Sequence, residues 1–393
     1  MTVEELLNIY KTSFESVPRA FRSPGRINVI GEHTDYNEGF VLPAAVDKEI
    51  KVLMGLNRTD SFHFYSVDND EWVHFTLENH GEVKAHWAQY LIGVLLQALN
   101  AGGRISGVDA VFSGNVPLGA GLSSSAALEC ATLFGFSSLF GLNLDKFSIA
   151  KLSQKAENEH VGVKCGIMDQ FASVFCEEGQ AIRLDCQDLS YEPFELDLKG
   201  HQFVLIDTMV KHSLASSEYN VRRSECEEGV KYLKKTNPEI YSLRDVSMDL
   251  LVSNKENLNE TVYQRCKYVL EENKRVSEAC VAMQNNDLNT LGDLLYQSHH
   301  GLSYDYEVSC KELDFLVDFT KNQENVLGAR MMGGGFGGCT INLVKEDFID
   351  EFKQLVTSAY QNSFNVEPNI YVVKTASGTS EIKNFQNYDR STR

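Results

Sequence analysis

A dense group of polar side chains near the N-terminus has the residue types needed to bind a sugar. Two glycines, Gly25 and Gly31, accompany the group. Its polar members are Arg26, Asn28, Glu32, His33, Thr34, Asp35 and Tyr36. Carboxylates accept hydrogen bonds from hydroxyl groups, so a ligand with many hydroxyls suits this set of side chains.

Two other interpretations of the group stay open. One is a solvated turn held by an Arg–Glu ion pair, and the other is a metal site made of Glu32, His33 and Asp35. The metal site is the weaker interpretation because the chain has no H-x-x-x-H or H-E-x-x-H pattern to complete it. The residues therefore favour a sugar without excluding a metal.

A loop rich in glycine and serine is the candidate for binding phosphate. It lies between a predicted strand and a predicted helix and reads Pro117-Leu118-Gly119-Ala120-Gly121-Leu122-Ser123-Ser124-Ser125-Ala126-Ala127. A helix N-terminus carries unsatisfied N–H donors and partial positive charge, which together bind anions. Serine hydroxyls can bond phosphate or coordinate Mg²⁺, although the same residues also suit an ordinary turn with serine caps. Three consecutive serines favour the phosphate interpretation.

The glycine patterns do not match the common nucleotide-binding motifs. No G-x-x-x-x-G-K-[ST] pattern occurs, which excludes a Walker loop, and Ser124 occupies the third glycine position of a dinucleotide fingerprint. A second cluster satisfies G-x-G-x-x-G at Gly333, Gly335 and Gly338, but a predicted strand follows it where a Rossmann motif needs a helix. Its five glycines in six positions predict backbone packed against a ligand or another strand.

Two carboxylates in the middle of the chain could take part in catalysis. Glu157 could ligate Mg²⁺, and Asp169, which follows a turn at Gly166, could accept a proton from a hydroxyl group. From the residues alone, an exposed helix position for Glu157 and a helix N-cap for Asp169 are the favoured interpretations.

Hydrophobic patterns predict the elements that must position these residues. Strands are expected at 26–30, 50–56, 62–67, 72–77, 107–112, 201–207, 339–344 and 370–373. Helices are expected at 87–99, 122–140, 144–160, 312–320 and 348–360, with a mainly helical stretch at 213–300. This arrangement predicts an α+β fold with two closely packed lobes, residues 1–195 and 196–393, whose boundary lies within 180–205.

Composition narrows the classes of function. The net charge is -19, from 36 Lys+Arg against 55 Asp+Glu, and a field of this sign repels nucleic acid and anionic membranes. Nine cysteines without a C-x-x-C pair are a poor disulfide framework. Residues 1–10 lack the apolar core of a signal peptide, and no apolar run approaches the ~20 residues of a membrane span. We therefore expect a cytoplasmic protein that binds neither nucleic acid nor a membrane, and we expect it, separately, to be monomeric.

Three segments, in this order, resemble the galactokinases of the GHMP kinase superfamily. The first reads Gly25-Arg26-Ile27-Asn28-Val29-Ile30-Gly31-Glu32-His33-Thr34-Asp35-Tyr36-Asn37 and continues with Gly39-Phe40-Val41-Leu42-Pro43. The second is the loop at 117–127, and the third runs from 328 to 338, with smaller matches at 165–170, 212–223 and 308–316. The resemblance covers nearly the whole chain, and its first segment distinguishes galactokinases from mevalonate and homoserine kinases.

The resemblance implies a fold and a reaction. The fold has an N-terminal lobe like ribosomal protein S5 domain 2 and a ferredoxin-like C-terminal lobe, with the site between them. The reaction transfers phosphate from ATP to the anomeric hydroxyl of D-galactose with Mg²⁺, giving galactose 1-phosphate and ADP for galactose catabolism. The alternatives are another sugar 1-kinase, acting on N-acetylgalactosamine, arabinose or galacturonate, and a non-catalytic regulator that senses galactose and ATP.

The resemblance also implies roles for individual residues. Arg26 and Asp169 would be the catalytic pair, and Ser125 and Glu157 would hold Mg²⁺. The sugar would be contacted by Glu32, His33, Thr34, Asp35, Gly166 and Tyr219. ATP would be held by Ser66, Gly119, Ala120, Gly121, Leu122, Ser123, Ser124 and Ser125, with Trp87 also on the nucleotide side.

Overall fold

Three β-sheets organise the part of the chain that the structure, a computed structural model, describes: residues 1–117, 119–210, 215–383 and 385. The strands are β1 (Arg19–Asn28), β2 (Phe40–Val41), β3 (Pro43–Leu56), β4 (Ser61–Ser66), β5 (Glu71–Thr76), β6 (Val108–Gly114), β7 (Gln180–Asp185), β8 (Tyr191–Glu195), β9 (His201–Asp207), β10 (Val326–Met331), β11 (Cys339–Lys345), β12 (Asn369–Val373) and β13 (Ser380–Ile382). Their orders are β13-β1-β3-β6-β4-β5, β10-β11-β9-β12 and β2-β7-β8.

Helices pack around these sheets. They are α1 (Val3–Ser13), α2 (His86–Asn100), α3 (Ser124–Phe140), α4 (Lys146–Ala156), α5 (Met168–Phe175), α6 (Ala215–Leu233), α7 (Met248–Ser253), α8 (Glu260–Gln284), α9 (Leu288–His300), α10 (Lys311–Thr320) and α11 (Ile349–Phe364). Single π-helical turns follow α4 at Glu157–Val161 and α9 at Gly301–Asp305. Within the described ranges, no helix is both long and apolar enough to cross a lipid bilayer.

The six-stranded sheet contains an irregularity that matters for the site. Strands β1 and β3 pair antiparallel, and their register shifts between Pro24 and Arg26. Proline cannot donate to the ladder, and a bulge at this point lets the strand bend. The backbone N–H of Arg26 leaves the usual pairing and donates to the carbonyl of Leu122 at 3.0 Å. Strand β1 is thereby joined to the glycine- and serine-rich loop.

Helix α3 is buried along most of its length. It packs against β1 and β3 of the sheet and against helices α2, α4 and α5, so that nearly all its side chains need to be small or apolar. Its first residue is Ser124, at the end of the loop that contacts Arg26. The sheet and this helix therefore fix the position of the loop.

The four-stranded sheet is covered by two helices. Val204 on β9 packs with Leu316 of α10 and with Phe352 and Val356 of α11. The loop at 332–338 joins β10 to β11, which pair antiparallel. A strand therefore follows the second glycine cluster, as expected from the sequence.

The α+β fold class is confirmed, and most predicted elements are present. The first strand was placed wrongly at 26–30, since β1 begins at Arg19 and ends at Asn28. The Pro24-Gly25 pair interrupts the strand pattern in the sequence, but the strand continues through it by means of the bulge. Strands β2, β7, β8, β10 and β13 and helix α1 were not predicted from sequence. The division into lobes at 1–195 and 196–393 stays a prediction. Strand β13 belongs to the second of these ranges by sequence, but it pairs with β1 in the six-stranded sheet.

Candidate active site

One cavity of about 240 Å³ brings together seven of the predicted site residues, whereas Thr34, Ser66, Gly166 and the loop residues 119–125 are not part of its lining. Its lining comes from segments far apart in the chain, and eight of its side chains carry a titratable group. The lining residues are Arg26, Glu32, His33, Asp35, Glu157, Val163, Cys165, Met168, Asp169, Tyr219, Gly333, Gly334 and Gly335. The mixture of hydrogen-bonding groups and backbone suits a small polar ligand.

Arg26 and Asp169 form an ion pair at this cavity. The Nε and Nη2 atoms of Arg26 each lie 2.7 Å from Oδ1 of Asp169, and Nη1 donates to the carbonyl of Gly121. The other carboxylate oxygen, Oδ2, accepts a hydrogen bond from the hydroxyl of Ser123 at 2.5 Å. Because Arg26 is only 4% exposed, its guanidinium is fixed by these contacts, and Asp169 is held in turn at both oxygens.

Glu32 is buried in a network of donors. Its Oε1 accepts from Nη1 of Arg330 at 3.0 Å and from the backbone N–H of Gly333 at 2.8 Å, and its Oε2 accepts from Asn28 at 2.9 Å. Arg330 is fully buried and also donates to the carbonyl of Val29 at 2.9 Å. The charge of Glu32 is thus compensated inside the protein while the residue lines the cavity.

His33 lies in the left-handed region with φ 62°, which turns the chain sharply after Glu32. Its Nδ1 is 2.6 Å from the hydroxyl of Tyr36, and its ring centroid is 5.3 Å from that of Tyr219. Burial lowers the pKa of His33 to about 3, although the backbone of Gly334 opposes this shift. The imidazole is therefore neutral at physiological pH.

Asp35 and Gly166 pack directly against each other. A Cβ atom added at Gly166 would overlap the carboxylate of Asp35, so only glycine fits there. Burial, and next to it the charge of Asp169, raises the pKa of Asp35 to about 7. Thr34, in contrast, does not line the cavity: its hydroxyl is buried within hydrogen-bond distance of the carbonyls of Gly31 and Phe40, at 2.9 and 2.6 Å.

The loop before α3 brings backbone close to the second glycine cluster. Gly119 and Gly121 have φ of 77° and 72°, and Ser123 has φ 57°, so the loop depends on left-handed conformations. Gly121 packs against the backbone of Met332 and Gly333. The two glycine-rich segments therefore face each other at the N-terminus of α3. Two parts of the predicted segments lie outside the described residues: Leu118 in this loop, and residues 212–214 of the match at 212–223.

Glu157 lies on the π-helical turn that follows α4, and its side chain lines the cavity. Its carboxylate accepts from Gln170 at 2.7 Å and lies 3.5 Å from Sγ of Cys165, and the nearby hydroxyl of Ser125 favours its charged form and lowers its pKa. Burial, and next to it the charge of Asp169, raises the pKa of Glu157 to about 7. Contrary to the interpretation favoured by its own sequence segment, Glu157 is 6% exposed and points away from solvent.

Ser66 and Trp87 lie outside the cavity. Ser66 is fully buried at the end of β4 and accepts a hydrogen bond from Asn69 at 2.8 Å. The indole N–H of Trp87 donates to Glu71 at 2.6 Å. The structure thus does not bring these two together with the cavity residues.

The acidic side chains that line the cavity are potential ligands for a metal ion. Among the residues that the structure describes, no group of three or more His, Cys, Asp or Glu side chains could hold a metal by itself. The alternative metal site of Glu32, His33 and Asp35 is therefore not supported. A Mg²⁺ ion that keeps waters and phosphate oxygens needs only one or two protein ligands, and Glu157 with Ser125 fits that requirement.

Sequence reasoning missed several participants. Arg330 lies within the third matching segment, but no role was predicted for it. Its position in an otherwise apolar strand could have indicated a buried charge that needs a partner. The contact of Ser123 with Asp169 joins positions 46 residues apart, and Gly333 to Gly335 reach the cavity through backbone. These contacts depend on tertiary packing that no local pattern reports.

Family models match three parts of the chain. The GHMP kinases N terminal domain matches residues 89–177, and GHMP kinases C terminal matches residues 279–362. The crystal structure of Methanococcus jannaschii mevalonate kinase has the same fold, with a TM-score of 0.65 at 17% identity over 93% of this chain and 100% of that one. The fold and the glycine- and serine-rich loop thus define a GHMP kinase.

More specific matches come from galactokinases. The galactokinase galactose-binding signature matches residues 8–56. The galactokinase of Thermosipho africanus is 43% identical over 92% of this chain and 99% of its own, and that of Thermotoga maritima is 44% identical over the same shares. The crystal structure of Lactococcus lactis galactokinase complexed with galactose covers 96% of this chain and 98% of that chain, with a TM-score of 0.91 and 35% identity. The chain belongs to the galactokinase family.

Proposed function

We propose that this protein transfers the terminal phosphoryl group of ATP to the anomeric hydroxyl of D-galactose, giving galactose 1-phosphate and ADP. The observation that carries the proposal is the single cavity that holds Glu32, His33 and Asp35 beside the Arg26–Asp169 pair. This pair lies next to the N-terminus of α3, where an anion is favoured. The proposal agrees with the activity for which the similar proteins are named.

Asp169 is the proposed base. The anomeric oxygen attacks the terminal phosphorus, its bond to phosphorus forms while the bond from phosphorus to the β–γ bridging oxygen breaks, and its proton passes to Asp169. Arg26 and Ser123 donate to the carboxylate, which fixes its orientation, and any carboxylate is a weak base towards a sugar hydroxyl. We therefore expect proton transfer to occur late, when bonding to phosphorus has already acidified the hydroxyl.

Arg26 also has a charge role in this proposal. Phosphoryl transfer is catalysed mainly by positioning and by stabilising the charge of a loose transition state. A buried guanidinium at the base of the cavity is already oriented, so it supplies positive charge without a cost of reorganisation. Its hydrogen bond to Gly121 ties this charge to the loop that would carry the ATP phosphates.

The sugar is the proposed ligand of the neighbouring polar residues. Glu32 and Asp35 accept hydrogen bonds from hydroxyls, Tyr219 packs against the sugar, and Gly166 leaves room for Asp35. His33 is the remaining contact. Thr34 acts indirectly, since its hydroxyl holds the turn that presents His33 and Asp35.

ATP and Mg²⁺ lie beside the cavity, at the loop before α3, in this proposal. The segment from Gly119 to Ser125 would receive the phosphates, with Ser66 on the nucleotide side. Ser125 and Glu157 would hold Mg²⁺, which supplies charge neutralisation for the phosphates when bound. Burial, together with the charge of Asp169, raises the pKa of Glu157 to about 7, which fits a site completed by a cation.

We also propose that the protein acts as a monomer in the cytoplasm. All nine cysteines are free thiols, which suits a reducing compartment. Light scattering on a size-exclusion column tests the oligomeric state, and a mass of about one chain is the expected result.

The experiment that tests the reaction measures ADP release over a panel of sugars and identifies the product by ³¹P NMR. The panel contains galactose, N-acetylgalactosamine, arabinose and galacturonate. Galactose 1-phosphate formed fastest from galactose is the expected result. Faster turnover of another sugar would reassign the substrate, and absence of sugar-dependent ADP release would indicate a sensor without catalytic activity.

A further inference from the structure

Helix α8 contacts the turn that carries the proposed sugar residues, although the helix lies outside the cavity. This turn, residues 31–40, which we call the sugar turn, lies between β1 and β2 and contributes Glu32, His33 and Asp35 to the cavity. The described residues that line the cavity include none from α8. The sequence predicted helix in this region but no functional role for it.

The first contacts hold the backbone on both sides of the Gly31–Glu32 peptide bond. Oε1 of Glu272 accepts a hydrogen bond from the N–H of Gly31 at 2.9 Å, and the hydroxyl of Tyr268 donates to the carbonyl of Glu32 at 3.0 Å. Tyr268, Glu272 and Val276 follow one another at helical spacing on one face of α8, and all three are fully buried. Gly31 has φ 106°, and a Cβ added there would lie 2.9 Å from the side chain of Val276. The start of the sugar turn is therefore closely fitted to this face of α8.

A third contact holds the far end of the sugar turn. Oδ1 of Asn273 accepts a hydrogen bond from the N–H of Phe40 at 2.8 Å. Gly39 packs against the same amide, since a Cβ added at Gly39 would overlap it. Both ends of the sugar turn are thus bonded to one helix.

Glu272 is itself held in place by two further donors. Its Oε2 accepts from Nε of Arg275 at 2.6 Å, and its Oε1 also accepts from the hydroxyl of Ser298 on α9 at 2.7 Å. A buried carboxylate with three donors and a paired charge has a fixed orientation. Helix α9 in turn packs against β10, whose Arg330 pairs with the carboxylate of Glu32. The backbone and the side chain of Glu32 are therefore both held by the segment that runs from α8 to β10.

We propose that Tyr268, Glu272 and Asn273 are positioning residues for sugar binding, which hold the sugar turn in its binding shape before the sugar arrives. The inference deepens the proposed function and rests on it, because it takes the ligand of the cavity to be a sugar. A turn that is ordered beforehand loses less conformational entropy when the ligand binds, so the affinity is higher. The Arg26–Asp169 pair is held by other groups, at the loop before α3. Loss of the α8 contacts should therefore weaken sugar binding without slowing the chemical step.

The kinetic test removes one contact at a time. Tyr268→Phe keeps the ring and removes only the hydroxyl, and we expect the KM for galactose to rise about five- to tenfold, as for one lost hydrogen bond, while kcat and the KM for ATP stay within twofold. Asn273→Ala should have the same effect, whereas Asn273→Asp keeps an acceptor for Phe40 and should stay within twofold of the wild type. For Glu272, the double variant Glu272→Leu, Arg275→Leu removes both buried charges together, which a fold tolerates better than one unpaired charge. Its KM for galactose should rise at least as much.

A second measurement follows the order of the sugar turn without catalysis. Hydrogen exchange of residues 31–40 is measured by mass spectrometry on the protein without ligand. We expect exchange at least about fivefold faster in Tyr268→Phe and Asn273→Ala than in the wild type, because the turn opens more often, and saturating galactose should slow it again.

Two control variants separate positioning from general stability. Tyr263→Phe changes a tyrosine of α8 that packs against Lys255 and should alter neither measurement. Val356→Ala lowers stability in the core of the four-stranded sheet and should leave the KM for galactose unchanged.

The possible results distinguish the two proposals. A KM for galactose within twofold of the wild type, or unchanged exchange of the sugar turn, in either Tyr268→Phe or Asn273→Ala overturns the inference. A fall in kcat as large as the rise in KM, or a similar rise in Val356→Ala, also overturns it, since either result means general destabilisation. Absence of galactose phosphorylation by the wild type overturns the proposed function instead, and the exchange measurement still tests the contacts of α8.

Discussion

Replacing Arg330 by methionine tests whether Glu32 depends on a buried partner. The guanidinium of Arg330 is fully buried, pairs with Glu32 at 3.0 Å and donates to the carbonyl of Val29 at 2.9 Å. Methionine fills similar volume but leaves the carboxylate of Glu32 without its compensating charge. Breaking a buried pair in this way costs about 3–5 kcal/mol.

The expected size of the thermal effect follows from the length of the chain. With about 2.1 cal/mol/K of unfolding entropy per residue, 393 residues that unfold together have about 0.8 kcal/mol/K. A loss of about 3–5 kcal/mol then lowers Tm by about 4–6 °C. Differential scanning calorimetry without ligand measures this shift. Lys321→Met, which removes an exposed pair with Asp318, is the control and should shift Tm by less than about 1 °C.

A double variant separates the pairing from the loss of packing. Glu32→Gln alone should also lower Tm, because it leaves Arg330 as an uncompensated buried charge. Combining it with Arg330→Met removes both charges, so the combined shift should be smaller than the sum of the single shifts by at least about 2 °C. Strictly additive shifts would refute the argument, since they mean that the two groups do not stabilise each other.

The remaining predictions concern the reaction. Asp169→Asn should remove most turnover and leave galactose affinity within about threefold by calorimetry; a kcat near that of the wild type would contradict its role as the base. Glu157→Gln should raise the Mg²⁺ concentration needed for half-maximal rate at least about tenfold, and an unchanged requirement would argue against the ligand role. Because the pKa of Glu157 is raised to about 7, metal-dependent activity should fall as pH drops through 7. The metal-free protein should lose stability as pH rises from 4.5 through 7, because the native state retains a proton on Glu157 that the unfolded state releases. A Glu157→Gln variant with the same dependence of stability on pH would contradict the assignment of this proton to Glu157. Gly166→Ala should weaken galactose much more than ATP, because its methyl group would displace Asp35; equal effects on both KM values would count against the contact.

Local patterns in the sequence predicted the fold class, most elements and the polar group at the N-terminus. Such patterns report the period of side chains along one element and the residues that suit turns. They favoured a helix N-cap for Asp169 and an exposed position for Glu157, and only the resemblance to a family assigned both to a site. Burial of Glu157 depends on Gln170 and on the π-helical turn, neither of which has a signature in its own segment.

The parts that were missed depend on contacts between distant residues. Arg330 meets Glu32 across 298 positions, and Tyr306 meets Tyr36 across 270. Neither spacing nor periodicity specifies which distant side chains meet, because that depends on how the sheets and helices pack together. The same limit explains β13, a short strand that exists only because β1 offers it an edge.

The pairing of β13 with β1 has a consequence for the order of events during synthesis. Ala20 pairs with Ile382, Arg19 forms an ion pair with Glu381, and the hydroxyls of Ser23 and Thr379 are 2.8 Å apart. The strand that carries Arg26 thus acquires its outer neighbour only after residues 380–382 have left the ribosome. Until then this edge is open to pairing with another nascent chain, so a translation pause before residue 380 exposes a sheet edge that the folded protein covers.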